Sequence, residues 1–280
     1  MKWRGRQGSA NVEDRRGMGM GGKGMVGGGL GLIIVLIVTL LGGNPGDLLG
    51  GLQNAGQGGA AYEETAQDKE LAEFVSVVLA DTEEVWSDVF RKEGLEYTEP
   101  KLVLYSGSVE SACGTAGSAV GPFYCPGDQK LYIDLSFYQE LQNRFQAPGD
   151  FAMAYVIAHE VGHHVQTLLG TTEKLAPLRQ KLSEKEYNKV QVRFELQADY
   201  MAGVWANHAQ SMDLLEQGDL EEAVRAASAV GDDSIQKQSQ GYVVPDSFTH
   251  GTSEQRMRWF KKGFQNGTIE GGDTFKARAL

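Results

Sequence analysis

His159-Glu160-Val161-Gly162-His163 sets two imidazoles one helical turn apart with a carboxylate beside the first. Residues four apart lie on nearly the same helix face, so both rings can reach one metal ion. Glu160 is rotated by roughly a quarter turn and points beside that ion, where a general base would act on a zinc-bound water. The plainer alternative is a pair of surface histidines that share a helix by coincidence. Just upstream, Pro148-Gly149-Asp150 supplies a break and an N-cap. Phe151, Ala154, Tyr155, Ala158, Gly162, Val165 and Leu169 then form a core-facing stripe that Gly170 ends. The two histidines lie beside the stripe, at the boundary between core and cleft.

A catalytic zinc takes three protein ligands and keeps one position open. Downstream candidates for the third are His208, His250 and the carboxylates, foremost those of Arg193-Phe-Glu195-Leu-Gln-Ala-Asp199. This run falls on a long amphipathic helix, Glu184 to Ala209, that a polar linker joins to the first. Glu195 and Asp199 are again four apart, so one can bind the metal while the other accepts the remaining N–H of a ligand histidine. Without the upstream motif they would read as two solvated carboxylates.

Elsewhere the chain is acidic, net −11 over 280 residues, which argues against a nucleic-acid partner. Residues 1–24 are the exception, with Lys2, Arg4, Arg6, Arg15, Arg16 and Lys23 against Glu13 and Asp14, and they read as a disordered basic cytoplasmic tail. Residues 25–43 carry no charge and read as an uncleaved transmembrane signal anchor, with a signal-peptide core or a buried helix as alternatives because the strongly apolar part is short. The basic flank would stay in the cytoplasm and send the rest across. A Gly-rich linker, 44–66, would lead to the folded domain, 67–280.

Within that domain, Asp68 to Lys92 has helical spacing and stops at Gly94. Lys101–Tyr105 and Lys130–Asp134 read as strands, with a further short one near Gly121–Cys125. Cys113 and Cys125, between Gly and Pro turn signals, are spaced to form a disulfide, the alternative being two buried thiols. The fold class expected is α+β, mainly helical with a small sheet, preceded by one transmembrane helix.

The HEVGHH and ELQAD runs resemble the gluzincin arrangement of thermolysin-like and CAAX-protease-like enzymes. A closer resemblance spans nearly the whole chain, through MKWRGRQGSANVEDRRG, FYCPGDQKLYIDLSFYQELQNRF, APGDFAMAYVIAHEVGHHVQ, ELQADYMAGVWA and VVPDSFTHGTSEQRMRWF. These stretches are similar to the bacterial family called putative neutral zinc metallopeptidases. The resemblance implies a zincin-like domain with one Zn2+ per chain, held by His159, His163 and Glu195, with Glu160 as base and Asp199 supporting a ligand histidine. In that family a Cys follows the ELQAD Asp and another lies near the C-terminal DTF; this chain has Tyr200 and Gly272 there, so a second disulfide is absent and the tether of the C-terminus is open.

His250 precedes a helix that Thr252 and Gln255 open as a capping box. It reads either as a donor to a developing oxyanion, resembling the Thr-His element of CAAX-protease-like enzymes, or as a packing histidine. Arg256 is placed to stabilise the same region or to pair with a carboxylate, while His164 and His208 read as non-catalytic. The expected function is a membrane-anchored zinc endopeptidase, single-pass with its catalytic domain extracytoplasmic, acting on peptide or protein substrates that pair with a strand near 130–134. The alternatives are a non-catalytic zinc-stabilised binding or assembly module and a zinc hydrolase acting on cell-wall amide bonds.

Overall fold

In the computed structural model, residues 1–17 and 64–280 are described. Strand β1 (Val12–Asp14) precedes helix α1 (Ala66–Lys92), and strand β2 (Lys101–Tyr105) follows it. A hairpin, β3 (Ser108–Ser111) and β4 (Gly114–Gly117), leads to β5 (Phe123–Cys125) and β6 (Lys130–Asp134). The rest is helical: α2 (Phe137–Asn143), α3 (Asp150–Leu168), α4 (Thr171–Leu175), α5 (Leu178–Lys181), α6 (Glu184–Ser211), α7 (Asp219–Ala229), α8 (Asp232–Gln240) and α9 (Ser253–Asn266). The domain is thus a mixed α+β fold, mainly helical, as expected. The linker after the motif helix holds the short helices α4 and α5.

The main sheet runs β1-β2-β6-β5, parallel from β1 to β6 and antiparallel at β5. Leu102, Leu104, Leu131 and Ile133 face the helical core, while Val103, Tyr105, Tyr132 and Cys125 pack against the β3–β4 hairpin. Burial on both faces explains why KLVLY and KLYID are apolar in succession rather than in alternation. The Cys113–Cys125 disulfide clamps the hairpin end to β5; a loop of this size contributes about 3 kcal/mol on a chain-entropy account. Because β6 lies between β2 and β5, its backbone is already paired, which corrects the expectation that a substrate strand adds at 130–134. Among the described residues the edge strand on that side is β5.

The largest correction concerns the amino terminus. Residues 1–17 are built into the domain. Met1 and Trp3 are buried in the main core, Trp3 meets Phe74 edge-on at 5.4 Å, and β1 lies in register with β2. The basic side chains that suggested a solvated tail have partners: Arg6 with Asp81, Arg16 with Asp14 and Glu64, Lys2 with Asp213. A single membrane crossing between β1 and α1 would set β1 and β2 on opposite sides of a bilayer, so their pairing gives no support to the cytoplasmic-tail, single-pass arrangement. The anchor expected over 25–43 and most of the linker lie outside the described residues. Among the described residues no helix is long and apolar enough to cross a membrane.

At the carboxy terminus, residues 268–277 run along α6. Gly272 fits because its neighbour is the Tyr200 ring: a Cβ there would lie 2.6 Å from Tyr200 Cδ1. The Tyr200 hydroxyl donates to the Thr268 carbonyl at 2.8 Å. The two positions that lack cysteine are therefore adjacent, and ring packing supplies the tether.

Candidate metal centre

Helices α3 and α6 cross where Gly162 faces Ala198 and Met201; a Cβ at Gly162 would stand 2.9 Å from the Ala198 carbonyl oxygen. This close approach lets carboxylates on α6 reach imidazoles on α3, and it gives the glycine inside the HExxH motif a structural reason. On its far side α6 is held by α9, where a Cβ on Gly203 would overlap the Phe260 carbonyl and one on Gly263 the Tyr200 carbonyl.

The crossing brings together the three expected ligands. His159 Nε2 is 3.2 Å and His163 Nε2 3.4 Å from Glu195 Oε2, and one ligand atom from each residue lies within 4.8 Å of the others. Ligands about 2.0–2.1 Å from a tetrahedral zinc stand about 3.3 Å apart. The donor set therefore fits zinc in chemistry and in spacing. Both rings are also oriented for metal binding. His159 Nδ1 lies 2.8 Å from Asp199 Oδ1 and His163 Nδ1 2.8 Å from Gln166 Oε1, so with Nδ1–H donating to each oxygen a bound metal would take the Nε2 lone pairs at the shared point.

Asp199 is fully buried and saturated with donors. Its Oδ1 also accepts from the Tyr155 hydroxyl at 2.5 Å and Arg256 Nη2 at 2.9 Å, and Oδ2 accepts from Arg256 Nε at 2.8 Å. Burial alone would raise the Asp199 carboxyl, but Arg256 and His159 overcome it and hold it below the usual range. Burial disfavours a charged His159, yet Asp199 and Glu195 outweigh it and lift the ring to about 9 in the absence of metal. Glu195 is held well below the ordinary carboxylate range because His163 and His159 outweigh its desolvation.

Glu160 is buried beside this triad, and burial pushes its carboxyl upward. The Tyr124 backbone N–H of edge strand β5 faces it. His250 lies outside the ligand triad but close enough to interact with Glu195. Asp232, the first residue of α8, fixes it: Oδ2 accepts from the N–H groups of Thr249, His250 and Gly251 at 2.8, 2.7 and 3.0 Å, and Oδ1 pairs with His250 Nδ1 at 3.1 Å. Burial lowers the His250 pKa, but Asp232 more than compensates and the net direction is upward.

The other two histidines have partners outside the ligand triad. His164 Nε2–H donates to the Thr98 carbonyl at 2.7 Å, so its Nδ1 accepts from the Tyr124 hydroxyl at 3.0 Å; His208 donates to the Gly267 carbonyl at 2.9 Å. Sequence reasoning did not identify Asp232, Gln166 or Tyr155. Only Gln166 and Tyr155 had a signal, since each lies one turn or less from a ligand histidine on α3. A second acidic group, Asp150 with Asp219 and Glu222, adjoins the Met1 amino group, which is 2.8 Å from Asp150 and 3.3 Å from Asp219.

A His-His-Glu centre with a buried carboxylate at its side, set between two crossed helices next to a sheet edge, defines an HExxH-type zinc hydrolase class. The chain belongs to the family described as putative neutral zinc metallopeptidase, whose model matches residues 1–275. It is 51% identical over 283 residues to the protein YpfJ of Escherichia coli strain K12, a match covering 98% of this chain and 99% of that one. It is 44% identical over 195 residues to Rv2575 of Mycobacterium tuberculosis strain H37Rv, covering 66% of this chain and 65% of the relative. Both are named only as uncharacterized proteins and bring no activity with them. No solved structure matches.

Proposed function

We propose that the protein is a zinc-dependent endopeptidase that hydrolyses peptide bonds of peptide or protein substrates outside the cytoplasm. The observation that carries this reading is the combination of three ligand atoms at zinc spacing with an unliganded buried carboxylate, Glu160, beside them. Burying a carboxylate with so few donors is costly for a merely structural site. When bound, the metal would polarise the scissile carbonyl and make a water easier to deprotonate. Glu160 takes a proton from the attacking water and delivers it to the amine nitrogen as the C–N bond breaks. His250, kept in its doubly protonated form by Asp232 at Nδ1, presents Nε2–H to the carbonyl oxygen as negative charge develops there. The open edge of β5 offers backbone groups to an extended peptide. The disulfide supports an oxidising compartment.

The test uses the full chain with one equivalent of zinc on a mixed peptide library, with isolated cell-wall fragments in parallel. Glu160→Gln should bind zinc as the parent does and lose peptide hydrolysis by about 10²–10⁴-fold. A variant that cleaves as well as the parent removes Glu160 as the base. Turnover of wall fragments alone would replace the peptide with another amide.

A further inference from the structure

We propose that the carboxy-terminal strap, residues 268–277, helps to hold ligand His163 in its metal-binding tautomer through a buried amide relay, Gln197 and Gln166. The inference rests on the metal-binding part of the reading above and not on proteolysis.

Acceptors that can only accept fix the direction of the relay. The Gly272 carbonyl has no proton to give, so the Gln197 group facing it at 2.9 Å is the amide nitrogen. Gln197 Oε1 therefore points the other way, where Gln166 Nε2 donates to it at 3.0 Å. The same Gln166 nitrogen donates to the Phe194 carbonyl at 2.7 Å, which fixes its orientation a second time. Gln166 must then turn Oε1 toward His163, which has to supply the proton from Nδ1 at 2.8 Å. A neutral imidazole carrying that proton has its lone pair on Nε2, the atom facing Glu195. Gln166 and Gln197 are buried, so water does not readily substitute for a missing partner.

The strap is fastened to the same helix one turn before Gln197. Arg193 Nη1 donates to the Thr274 carbonyl and, at 3.1 Å, to that of Ala277, while Thr274 Oγ1 donates back to the Arg193 carbonyl at 2.5 Å. Thr274 is itself buried. Releasing the strap removes the Gly272 acceptor, frees the Gln197 amide to turn, and leaves Gln166 pinned only by Phe194. Gln166 and Gln197 are thus positioning residues, and the tail is a place where an event distant from the cleft changes metal affinity.

Two measurements on the full chain test this. The first is ¹⁵N histidine NMR of metal-free protein, which reports the ring tautomer. His163 should be protonated at Nδ1 in the parent, and mixed between tautomers in Gln166→Leu. The second is zinc affinity by competition with a chromogenic chelator. Gln166→Leu should weaken binding by about 10–100-fold, and Gln197→Met and Thr274→Val by a smaller factor in the same direction. Thr274→Ser, which keeps the hydroxyl, should match the parent. Thr274→Val is nearly isosteric, so it serves if the Gln166 variant does not fold. Variants at 197 and 274 with parental zinc affinity and an unchanged His163 tautomer overturn the proposal. If the parent binds no zinc yet the variants still lose the tautomer, the relay stands and the metal reading fails.

Discussion

Arg256 and Asp199 show how much of the centre is spent on orientation. The pair is fully buried, and Asp199 has no exposure to water that could replace a lost donor. Arg256→Met leaves a buried carboxylate with the Tyr155 hydroxyl and the His159 N–H as its remaining donors. It should lower the unfolding free energy of the metal-free protein by about 3–5 kcal/mol, measured by urea denaturation; a change below 1 kcal/mol would mean that water or a rearranged side chain repairs the site. At the same scale, Asp232→Asn should leave zinc binding unchanged, because Asp232 contacts no ligand. It should reduce kcat on whichever peptide the parent cleaves, since His250 then loses its charged partner. A rise in KM with unchanged kcat would assign His250 to substrate binding instead. The candidate ligands and Asp199 could be picked out in the sequence because spacing of four along a helix is a local signal. Asp232 was not, since it meets His250 across an eighteen-residue separation that no periodicity encodes.

Among the elements, β1 is where reading composition without partners failed most clearly. A basic, glycine-rich opening reads as solvated chain, but its charges match acids on α1 and on the sheet. Glu13 shows the consequence. Lys130 from β6 and Arg15 hold its carboxyl at about 2, below the usual 4.5. Because the folded value is depressed, the stability Glu13 contributes is fully present above about pH 4.5 and is lost as pH falls from there toward 2. Amide protection factors in β1 should fall over that window in the parent, whereas Glu13→Gln should lack this component. The comparison between variants is needed because Asp81 and Glu83, raised by burial, have the opposite sign. The strands β2, β5 and β6 were readable as short β-prone runs. The β3–β4 hairpin, α7 and α8 were not, since small and polar residues such as GTAG carry little periodic signal.

For the molecule as a whole, the sidedness of the chain is the feature that the apolar run between 25 and 43 made easy to misjudge. Arg15 donates its backbone N–H to the Leu104 carbonyl at 2.8 Å, and Arg16 Nη2 reaches Glu64 Oε1 at 2.8 Å. The points where the chain leaves the described structure and re-enters it are therefore joined by an ion pair. Residues 16 and 64 therefore lie side by side in the described structure. The usual argument from basic flanks is weaker here, because Lys2, Arg4, Arg6, Arg15 and Arg16 all have acidic partners within the domain. Single cysteines at Arg4 and Lys276, both with exposed side chains, report the two ends, since the native pair is closed in its disulfide. In spheroplasts treated with a membrane-impermeant maleimide, Arg4→Cys and Lys276→Cys should label alike, and both should label if the domain faces the oxidising side. Labelling of only the Lys276 variant would mean that β1 is detached from the sheet in the cell and would restore a single crossing.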